Sequence, residues 1–328
     1  MRVALYSRNG PARDVLQLTD LPTPEPGPGE VRVKLATSGV NPSDVKSRGG
    51  SRPVTQGYVV PHSDGAGTID RVGRGVPESR VGERVWIWNG QWQRPMGTAA
   101  QYIALPAEQA VPLPDTVSFE AGACMGIPGL TAMRGILLLG DIEGKTVLVT
   151  GGASGVGFYA AQMARLRGAR VITTVGSTKK AARLEQVGVT ENILYKQEPV
   201  AERLLALTDG RGVDAVVDMD FSTTAGLVNA GAVAAHGVVS VYGSNQRGDI
   251  SLNFGTCLPR SLSFNFFLVY DLLPVQRRET VQALDDLLRE GALSHLLAPS
   301  FSLDDIVAAH EAVESGRVLG NVVVALPE

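Results

Sequence analysis

The order of apolar and polar residues divides the chain into a strand-rich first part and a later part in which strands and helices alternate. From residue 1 to about residue 114, short apolar or alternating runs are separated by Pro and Gly clusters, most densely at 21–29. This spacing predicts short strands of a small antiparallel, barrel-like domain. The predicted strands are 2–7, 30–40, 65–72, 84–88 and 99–105.

From residue 119 onward the pattern changes. A helical stretch at 119–139 is broken once, at Gly126, Pro128 and Gly129. Strands at 146–150, 170–175, 215–218 and 237–242 then alternate with helices at 158–167, 200–208 and 223–235. This alternation predicts an α/β protein with a doubly wound parallel sheet. A strand at 264–270, helices at 274–290 and 303–315, and a strand at 322–326 follow.

A glycine-rich turn joins the first strand of this later part to its helix. Gly151, Gly152, Gly155 and Gly157 crowd the turn, and a second buried strand follows the helix. This βαβ order is typical of dinucleotide-binding units, because a pyrophosphate binds at the helix N-terminus. On the G-x-G-x-x-G pattern, however, the middle glycine is Ser154. A plain strand-to-helix loop is the alternative interpretation.

The end of the second strand indicates which dinucleotide is bound. NAD sites usually place an acidic residue there, which holds the ribose 2′-hydroxyl. Here the stretch from Gly176 to Lys180 contains no acid, and the first is Glu185. Hydroxyl and ammonium groups suit a 2′-phosphate, which favours NADP over NAD. The alternative is a solvated helix start capped by Ser177.

Composition narrows the class of protein. The 328 residues are enough for two domains, and a net charge of -3 gives no electrostatic reason to expect nucleic acid or an anionic membrane as partner. No apolar run is long enough to span a bilayer, and the start lacks a signal-peptide pattern. Cys124 and Cys257 do not form a pair with the spacing of a metal-binding or redox motif, and they are interpreted as buried thiols. These features predict a cytoplasmic protein.

Motifs along nearly the whole chain resemble those of the zinc-independent, ζ-crystallin-like quinone oxidoreductases of the medium-chain dehydrogenase/reductase superfamily. They are Gly39-Val40-Asn41-Pro42-Ser43-Asp44, Asp64-Gly65-Ala66-Gly67 with Val72-Gly73, Thr131, residues 147–157, Gly243-Ser244 and the tail 316–323. The resemblance implies a β-rich GroES-like catalytic domain of residues 1–124 and 265–328, with a Rossmann domain of residues 125–264 inserted into it. It also implies NADPH as cofactor and a quinone as acceptor.

The resemblance further assigns residues to the site. It implies catalytic roles for Asn41, Asp44 and Thr131, although Asp44 is also explained as a helix cap. The cofactor-binding residues that it implies are Asn41, Thr131, Ser154, Gly155, Val156, Ser177, Lys180, Tyr195, Tyr242, Gly243, Ser244, Phe267, Leu268 and Asn321. In this assignment Gly155 and Val156 meet the pyrophosphate, whereas Lys180 and its neighbours surround the 2′-phosphate.

The metal ligands of zinc-dependent relatives are replaced in this chain. Ser38 stands where those relatives carry a Cys, and Ser63-Asp64 stand where they carry a His-Glu pair. Serine hydroxyls are poor zinc ligands, so no metal is expected. His62 lies one position away and is interpreted as a local hydrogen-bonding residue.

The acceptor side departs from the family as well. Lys46 and Arg52 occupy positions where some quinone reductases carry tyrosines, and Tyr58 follows later. The tail lysine that is common in the family is Asn321 here. The shape of the substrate is therefore left open by the sequence, and Trp92, in a polar loop, is a further candidate for contact with it.

Other functions remain as alternatives. They are reduction of activated alkenes such as enones, a low-turnover nucleotide-binding structural protein, and a zinc alcohol dehydrogenase, which the missing ligands disfavour. A hydrolase is disfavoured because Gly155 is wrongly spaced for a nucleophile elbow around Ser154. His236, His295 and His310 are expected at the surface or at helix ends, without partners. The apolar run 264–270 is expected at a sheet edge and, with the resemblance, predicts a homodimer.

Overall fold

The computed structural model describes residues 1–327, which group into two compact units. The first unit comprises Met1–Pro128 and the chain from Leu288 onward, and the second unit is Gly129–Leu287. An α/β segment is therefore inserted between two parts of one β-rich unit, which confirms the predicted fold class. The domain limits of 1–124 with 265–328 and 125–264 stay a prediction.

The described residues contain the following regular elements. The strands are β1 (Arg2–Leu5), β2 (Gln17–Asp20), β3 (Glu30–Val40), β4 (Asp64–Val72), β5 (Arg84–Ile87), β6 (Tyr102–Pro106), β7 (Ala110–Pro112), β8 (Thr146–Val149), β9 (Arg170–Val175), β10 (Glu191–Leu194), β11 (Val213–Asp218), β12 (Val233–Val241), β13 (Ser263–Phe266), β14 (Phe301–Ser302) and β15 (Val322–Ala325). The helices are α1 (Ala12–Val15), α2 (Pro42–Lys46), α3 (Phe119–Gly122), α4 (Leu130–Leu137), α5 (Gly155–Leu166), α6 (Thr178–Glu185), α7 (Val200–Leu207), α8 (Phe221–Asn229), α9 (Phe254–Cys257), α10 (Pro274–Arg289) and α11 (Ile306–Ser315).

The first unit is organised around β3. This strand pairs antiparallel with β4, β6 and β15, in a sheet of order β14-β15-β3-β4-β5-β7. Alternate residues Val31, Val33 and Leu35 are buried against Ile69 and Ile103, as the period of two along a strand requires. The C-terminal β15 thus completes the sheet that the N-terminal residues begin.

The second unit is a doubly wound parallel sheet. Its order is β10-β9-β8-β11-β12-β13, and each neighbouring pair is parallel. The central strands β8 and β11 are almost entirely buried, because helices cover a sheet of this kind on both faces. The reversal of strand order beside β8 puts the carboxyl ends of β8 and β11 at the switch point, where ligands of such sheets bind.

Several predicted elements are wrong in extent. The helix predicted at 223–235 ends at Asn229, and β12 already begins at Val233. The long edge strand predicted at 264–270 is only Ser263–Phe266, followed by a helical turn at Val269–Asp271. Strand β10 was not predicted. Among residues 1–327, no helix combines the length and apolar character needed to cross a membrane.

Candidate active site

The glycine-rich turn has the close contacts that a dinucleotide-binding turn needs. Gly151 adopts φ +64°, which favours glycine. A Cβ on Gly157 would lie 2.2 Å from the Gly151 carbonyl oxygen, so any side chain there would push α5 away from the turn. Helix α5 begins at Gly155, three residues earlier than predicted, and therefore presents the N–H groups of Gly155 and Val156 in its first turn.

Ser154 compensates for the missing middle glycine of the motif. Its hydroxyl oxygen accepts a hydrogen bond of 3.0 Å from the N–H of Gly157, which caps α5. Helix α6 is capped in the same way, since Ser177 Oγ accepts from the N–H of Lys180 at 3.4 Å. The capped helix start that was the alternative interpretation of Ser177 is therefore present, and it does not conflict with a phosphate contact by Lys180.

A cavity of about 470 Å³ opens beside the glycine-rich turn. Its lining includes three of the predicted cofactor residues, Ser154, Lys180 and Tyr195. Tyr195 is half exposed, and its hydroxyl would lie 3.1 Å from a Cβ on Gly176, so its ring stands at the end of β9. The structure thus brings together a helix N-terminus, an ammonium group and a phenol around one cavity, which suits a phosphorylated ligand.

One wall of the same cavity is formed by residues that were not predicted from the sequence. Met219 and Asp220 follow β11, and the Met219 thioether packs directly over Gly151. The Asp220 carboxylate accepts hydrogen bonds from Asn245, at 2.8 Å from the backbone N–H and 2.7 Å from the side-chain amide. Their position just after a buried parallel strand was a signal in the sequence, because ligands bind at that edge.

A buried carboxyl lies at the end of the same strand. One oxygen of Asp218 accepts from the hydroxyls of Thr150, at 3.1 Å, and Thr224, at 2.6 Å. Burial raises the pKa of Asp218 to about 6 against the effect of these bonds. Burial also raises the pKa of the Tyr242 hydroxyl, to which the charge of Asp218 contributes. Tyr242 is therefore a neutral phenol at the end of β12.

A second pocket, of about 430 Å³, lies at the ends of β12 and β13. It collects the predicted cofactor residues of this part of the chain, which are Tyr242, Gly243, Ser244, Phe267 and Leu268. A Cβ on Gly243 would lie 2.6 Å from the Met219 carbonyl oxygen, so a glycine is needed where the strand meets the neighbouring loop. These residues lie together in the structure, and their contact with a nicotinamide stays a prediction.

In the first unit, Asn41 lies between two buried carboxyls. Its side-chain amide donates to Asp64 Oδ2 at 2.8 Å, and its backbone N–H donates to Asp44 Oδ2 at 2.8 Å. The Asn41 side chain also accepts from the N–H of Asp44, which completes a capping box at the start of α2. The capping role of Asp44 is therefore present, and the amide of Asn41 has a fixed orientation.

Both carboxyls are held toward their protonated forms. Burial raises the pKa of Asp44 to about 7, although hydrogen bonds from Asn41 and the charge of Arg52 lower it. Burial raises the pKa of Asp64 well above its usual range, and the nearby Asp44 raises it further. The Asp64 Oδ1 atom has no hydrogen-bond partner within residues 1–327.

The prediction that His310 lies at the surface or a helix end without a partner is wrong. His310 is fully buried, its Nε2 lies 2.9 Å from His62 Nε2, and Arg48 Nε donates to its Nδ1 at 3.4 Å. Since Arg48 has only donors, His310 carries its proton on Nε2 and donates to His62, which in turn donates from Nδ1 to Ser38 Oγ at 2.8 Å. Burial lowers the pKa of His310 to about 3 and that of His62 well below its usual range.

This chain of hydrogen bonds includes Ser38, the residue that the resemblance places where zinc-dependent relatives carry a Cys. Ser38 Oγ is bonded to His62 and, at 2.7 Å, to Thr98 Oγ1, whose hydroxyl donates to the backbone oxygen of Asp64. Among residues 1–327 no group of three or more His, Cys, Asp or Glu side chains could hold a metal ion. The absence of a bound metal stays a prediction.

Thr131 and Asn321 are not among the residues that line the two pockets described above. Thr131 is buried in α4 of the second unit. Asn321 lies just before β15 of the first unit, where its backbone N–H donates to the oxygen of Leu296 at 2.8 Å. Their assignment to the nicotinamide stays a prediction.

Comparisons with known proteins agree with the two units. The family described as zinc-binding dehydrogenase matches residues 155–290, and the alcohol dehydrogenase GroES-like domain matches residues 27–115. Quinone oxidoreductase from Pseudomonas aeruginosa is 30% identical over 329 residues, which cover 98% of each chain. Among solved structures, an NAD-dependent alcohol dehydrogenase is 30% identical with a TM-score of 0.87 and full coverage of both chains. A mycobacterial protein in complex with NADPH is 27% identical with a TM-score of 0.85, over 99% of this chain and 100% of that one.

A GroES-like unit interrupted by a parallel dinucleotide-type sheet defines an oxidoreductase of the alcohol dehydrogenase class. Within that class, the full-length similarity to quinone oxidoreductase decides the branch. The chain belongs to the medium-chain dehydrogenase/reductase superfamily, in its quinone oxidoreductase branch.

Proposed function

We propose that this enzyme transfers a hydride from NADPH to a quinone without a zinc ion. The observation that carries the proposal is the bonding of Ser38 to His62 and Thr98, because these side chains satisfy one another where related enzymes bind metal. Without a Lewis acid, the acceptor must itself delocalise the incoming charge, as quinones do and simple ketones do not. The similarity to a quinone oxidoreductase supports the same acceptor.

Support for NADPH comes from the cavity beside the glycine-rich turn. When bound, NADPH supplies the hydride, and the residues around it have to hold and orient it. Lys180 and Tyr195 line the cavity at the end of β9, where an NAD site would carry an acid. The turn closed by Gly157 and the first N–H groups of α5 suit the pyrophosphate. One structural relative is NAD-dependent, but the ammonium of Lys180 favours a 2′-phosphate here.

Asn41 is proposed to stabilise the charge that develops on the acceptor oxygen. Its amide is fixed on one side by Asp64 and on the other by the capping box with Asp44. A pre-oriented N–H donor of this kind needs no reorganisation when charge forms, which is how polar groups accelerate such steps. The proton that completes a hydroquinone can come from water, so the proposal needs no buried acid as proton donor.

The proposal on metal is tested by elemental analysis of the purified protein, with activity measured before and after a chelator. We expect zinc far below one equivalent and unchanged turnover of a quinone. Stoichiometric zinc, with activity lost on its removal and restored by its return, would refute the metal-free reaction.

A homodimer and a cytoplasmic location belong to the same proposal. Strand β13 is the last strand of its sheet, and Phe266 and Leu268 are exposed beside it. An apolar sheet edge favours pairing with a second copy across a two-fold axis. Cys124 and Cys257 are free thiols, as expected for a reducing compartment.

A further inference from the structure

One of the six methionines in the chain is exposed. Met219, which follows β11, has 38% of its surface accessible to solvent. The other five are partly or almost entirely buried, and they are Met1, Met96, Met125, Met133 and Met163. A peroxide has to reach a thioether sulfur in order to oxidise it, so exposure decides which methionine reacts first. Met219 is therefore the methionine most open to oxidation.

The thioether of Met219 also lies where the dinucleotide is expected to bind. Met219 lines the cavity of about 470 Å³ together with Gly151 and Ser154 of the glycine-rich turn. A Cβ on Gly151 would overlap with the Met219 Sδ atom, so the sulfur fills the space over this glycine. The sulfur thus contacts the turn, while the side chain borders the cavity.

The backbone that carries Met219 is anchored on both sides. Its own N–H donates to Thr150 Oγ1 at 2.9 Å, and the preceding Asp218 accepts from the same hydroxyl at 3.1 Å. The following Asp220 accepts from the Asn245 backbone N–H at 2.8 Å and from its side-chain amide at 2.7 Å. A shift of the backbone is therefore costly, and an enlarged side chain at this position stays at the wall of the cavity.

We propose that Met219 is a site of reversible oxidation, and that its sulfoxide weakens the binding of the dinucleotide. Hydrogen peroxide is the oxidant. It transfers one oxygen atom to the thioether, so that an S–O bond forms, the O–O bond breaks, the sulfur is oxidised and water is released. The proposed reaction is a source of this oxidant, because a hydroquinone that meets dioxygen reduces it to hydrogen peroxide and returns to the quinone.

The effect on binding follows from the space around the sulfur. On the side of the turn there is no room for a further oxygen, because the sulfur already contacts Gly151. The sulfoxide oxygen therefore points to the cavity, where it narrows the space and adds a polar group beside the place of an anionic pyrophosphate. This inference rests on the proposed function, because it takes the cavity as the site of NADPH.

Thiol oxidation is the alternative cause of any loss of binding. Cys257 is a free thiol in α9 and is only partly buried, whereas Cys124 is buried. Met219→Leu separates the two causes, since it keeps an apolar side chain of similar volume and removes the sulfur. Met96→Leu is the matched control, because it removes a partly buried methionine of the first unit and leaves the cavity unchanged.

The test treats each protein with millimolar hydrogen peroxide and measures the oxidation of every methionine by mass spectrometry of its peptides. Met219 should gain one oxygen at least about fivefold faster than Met96, and bound NADPH should slow its oxidation alone. After removal of the peroxide, oxidised wild type should bind NADPH about tenfold more weakly in a fluorescence titration, as for an unpaired polar group placed against a ligand. Oxidised Met96→Leu should lose the same affinity, and oxidised Met219→Leu should lose none.

Reversal provides a second measurement. Methionine sulfoxide reductases that act on both epimers should restore the affinity of oxidised wild type, because they reduce the sulfoxide back to the thioether. Unchanged affinity after complete oxidation of Met219, or an equal loss in Met219→Leu, would overturn the inference. A protein that loses NADPH binding through Met219 but reduces no quinone would refute the proposed reaction and support this inference.

Discussion

The buried pair of His62 and His310 should lower the free energy of unfolding of the first unit in acid. Substitution of one of the two histidines should reduce this loss. Both imidazoles are neutral in the folded protein, and their Nε2 atoms are 2.9 Å apart with a single proton between them. Protonation of either ring would place two N–H groups against each other. Replacing His310 by Gln removes one of the two titrating groups and keeps a polar side chain at the position.

The magnitude follows from the shift in pKa. The pKa of His310 falls from 6.5 in an unfolded chain to about 3 in the fold. A group with a lowered pKa contributes stability that is present above the unfolded pKa and lost as pH falls below it. At about pH 5 the unfolded chain has taken up its proton while the fold has not, and 1.5 pH units correspond to about 2 kcal/mol. Asp44, whose pKa is raised, acts in the opposite direction, but it does so in both proteins and cancels.

The assay is urea unfolding followed by tryptophan fluorescence, at about pH 7.5 and about pH 5. The three tryptophans, Trp86, Trp88 and Trp92, lie in the first unit, so their emission reports the unit that holds the histidine pair. The loss of unfolding free energy between the two pH values should be about 2 kcal/mol smaller in His310→Gln than in wild type. His236→Asn, which changes an exposed histidine, should behave like wild type. Equal acid sensitivity of wild type and His310→Gln would refute the reasoning.

Three further predictions concern the cofactor and the assembly. Lys180→Ala should weaken NADPH binding by roughly 1–3 kcal/mol, the range for loss of a charge-assisted hydrogen bond, and leave NADH binding nearly unchanged; equal weakening of both, by fluorescence titration, would contradict a 2′-phosphate contact. Gly157→Ala should abolish binding of either dinucleotide, because its Cβ would meet the Gly151 oxygen at 2.2 Å, and tight binding would show that the turn has another role. Phe266→Lys should convert a dimer to a monomer in light scattering, whereas a wild-type monomer at micromolar concentration would remove the basis for the dimer.

Several local features of the fold were predicted correctly from the sequence. Strands β3 and β9 have the predicted limits, because alternating or continuous apolar runs between turn residues define them without help from distant contacts. The cap that Asp44 forms at the start of α2 is also local, since it needs only residues three apart. The glycine-rich turn was identified for the same reason.

Long-range pairing was the part that the sequence could not supply. His62 and His310 are separated by 248 positions, and nothing in the pattern around either residue indicates the other. Strand β10, Glu191–Leu194, lies at a sheet edge, and its partly polar sequence lacks an apolar run. The position of Asp220 after a buried strand was a signal in the sequence, but the pairing of β11 with β8, which puts it beside the glycine-rich turn, was not. In each case the tertiary arrangement, and not local propensity, decides the role.

A hydride transfer without zinc requires an acceptor that itself delocalises the incoming charge. The direct measurement is the initial rate of NADPH oxidation, followed by the absorbance of reduced nicotinamide, with 1,4-benzoquinone, cyclohexanone and a no-acceptor control. We expect rapid oxidation with the quinone and none above the control with the ketone. Asn41→Ala should lower kcat more than it weakens the binding of NADPH. Comparable rates with cyclohexanone would contradict the account, and so would the absence of turnover with the quinone.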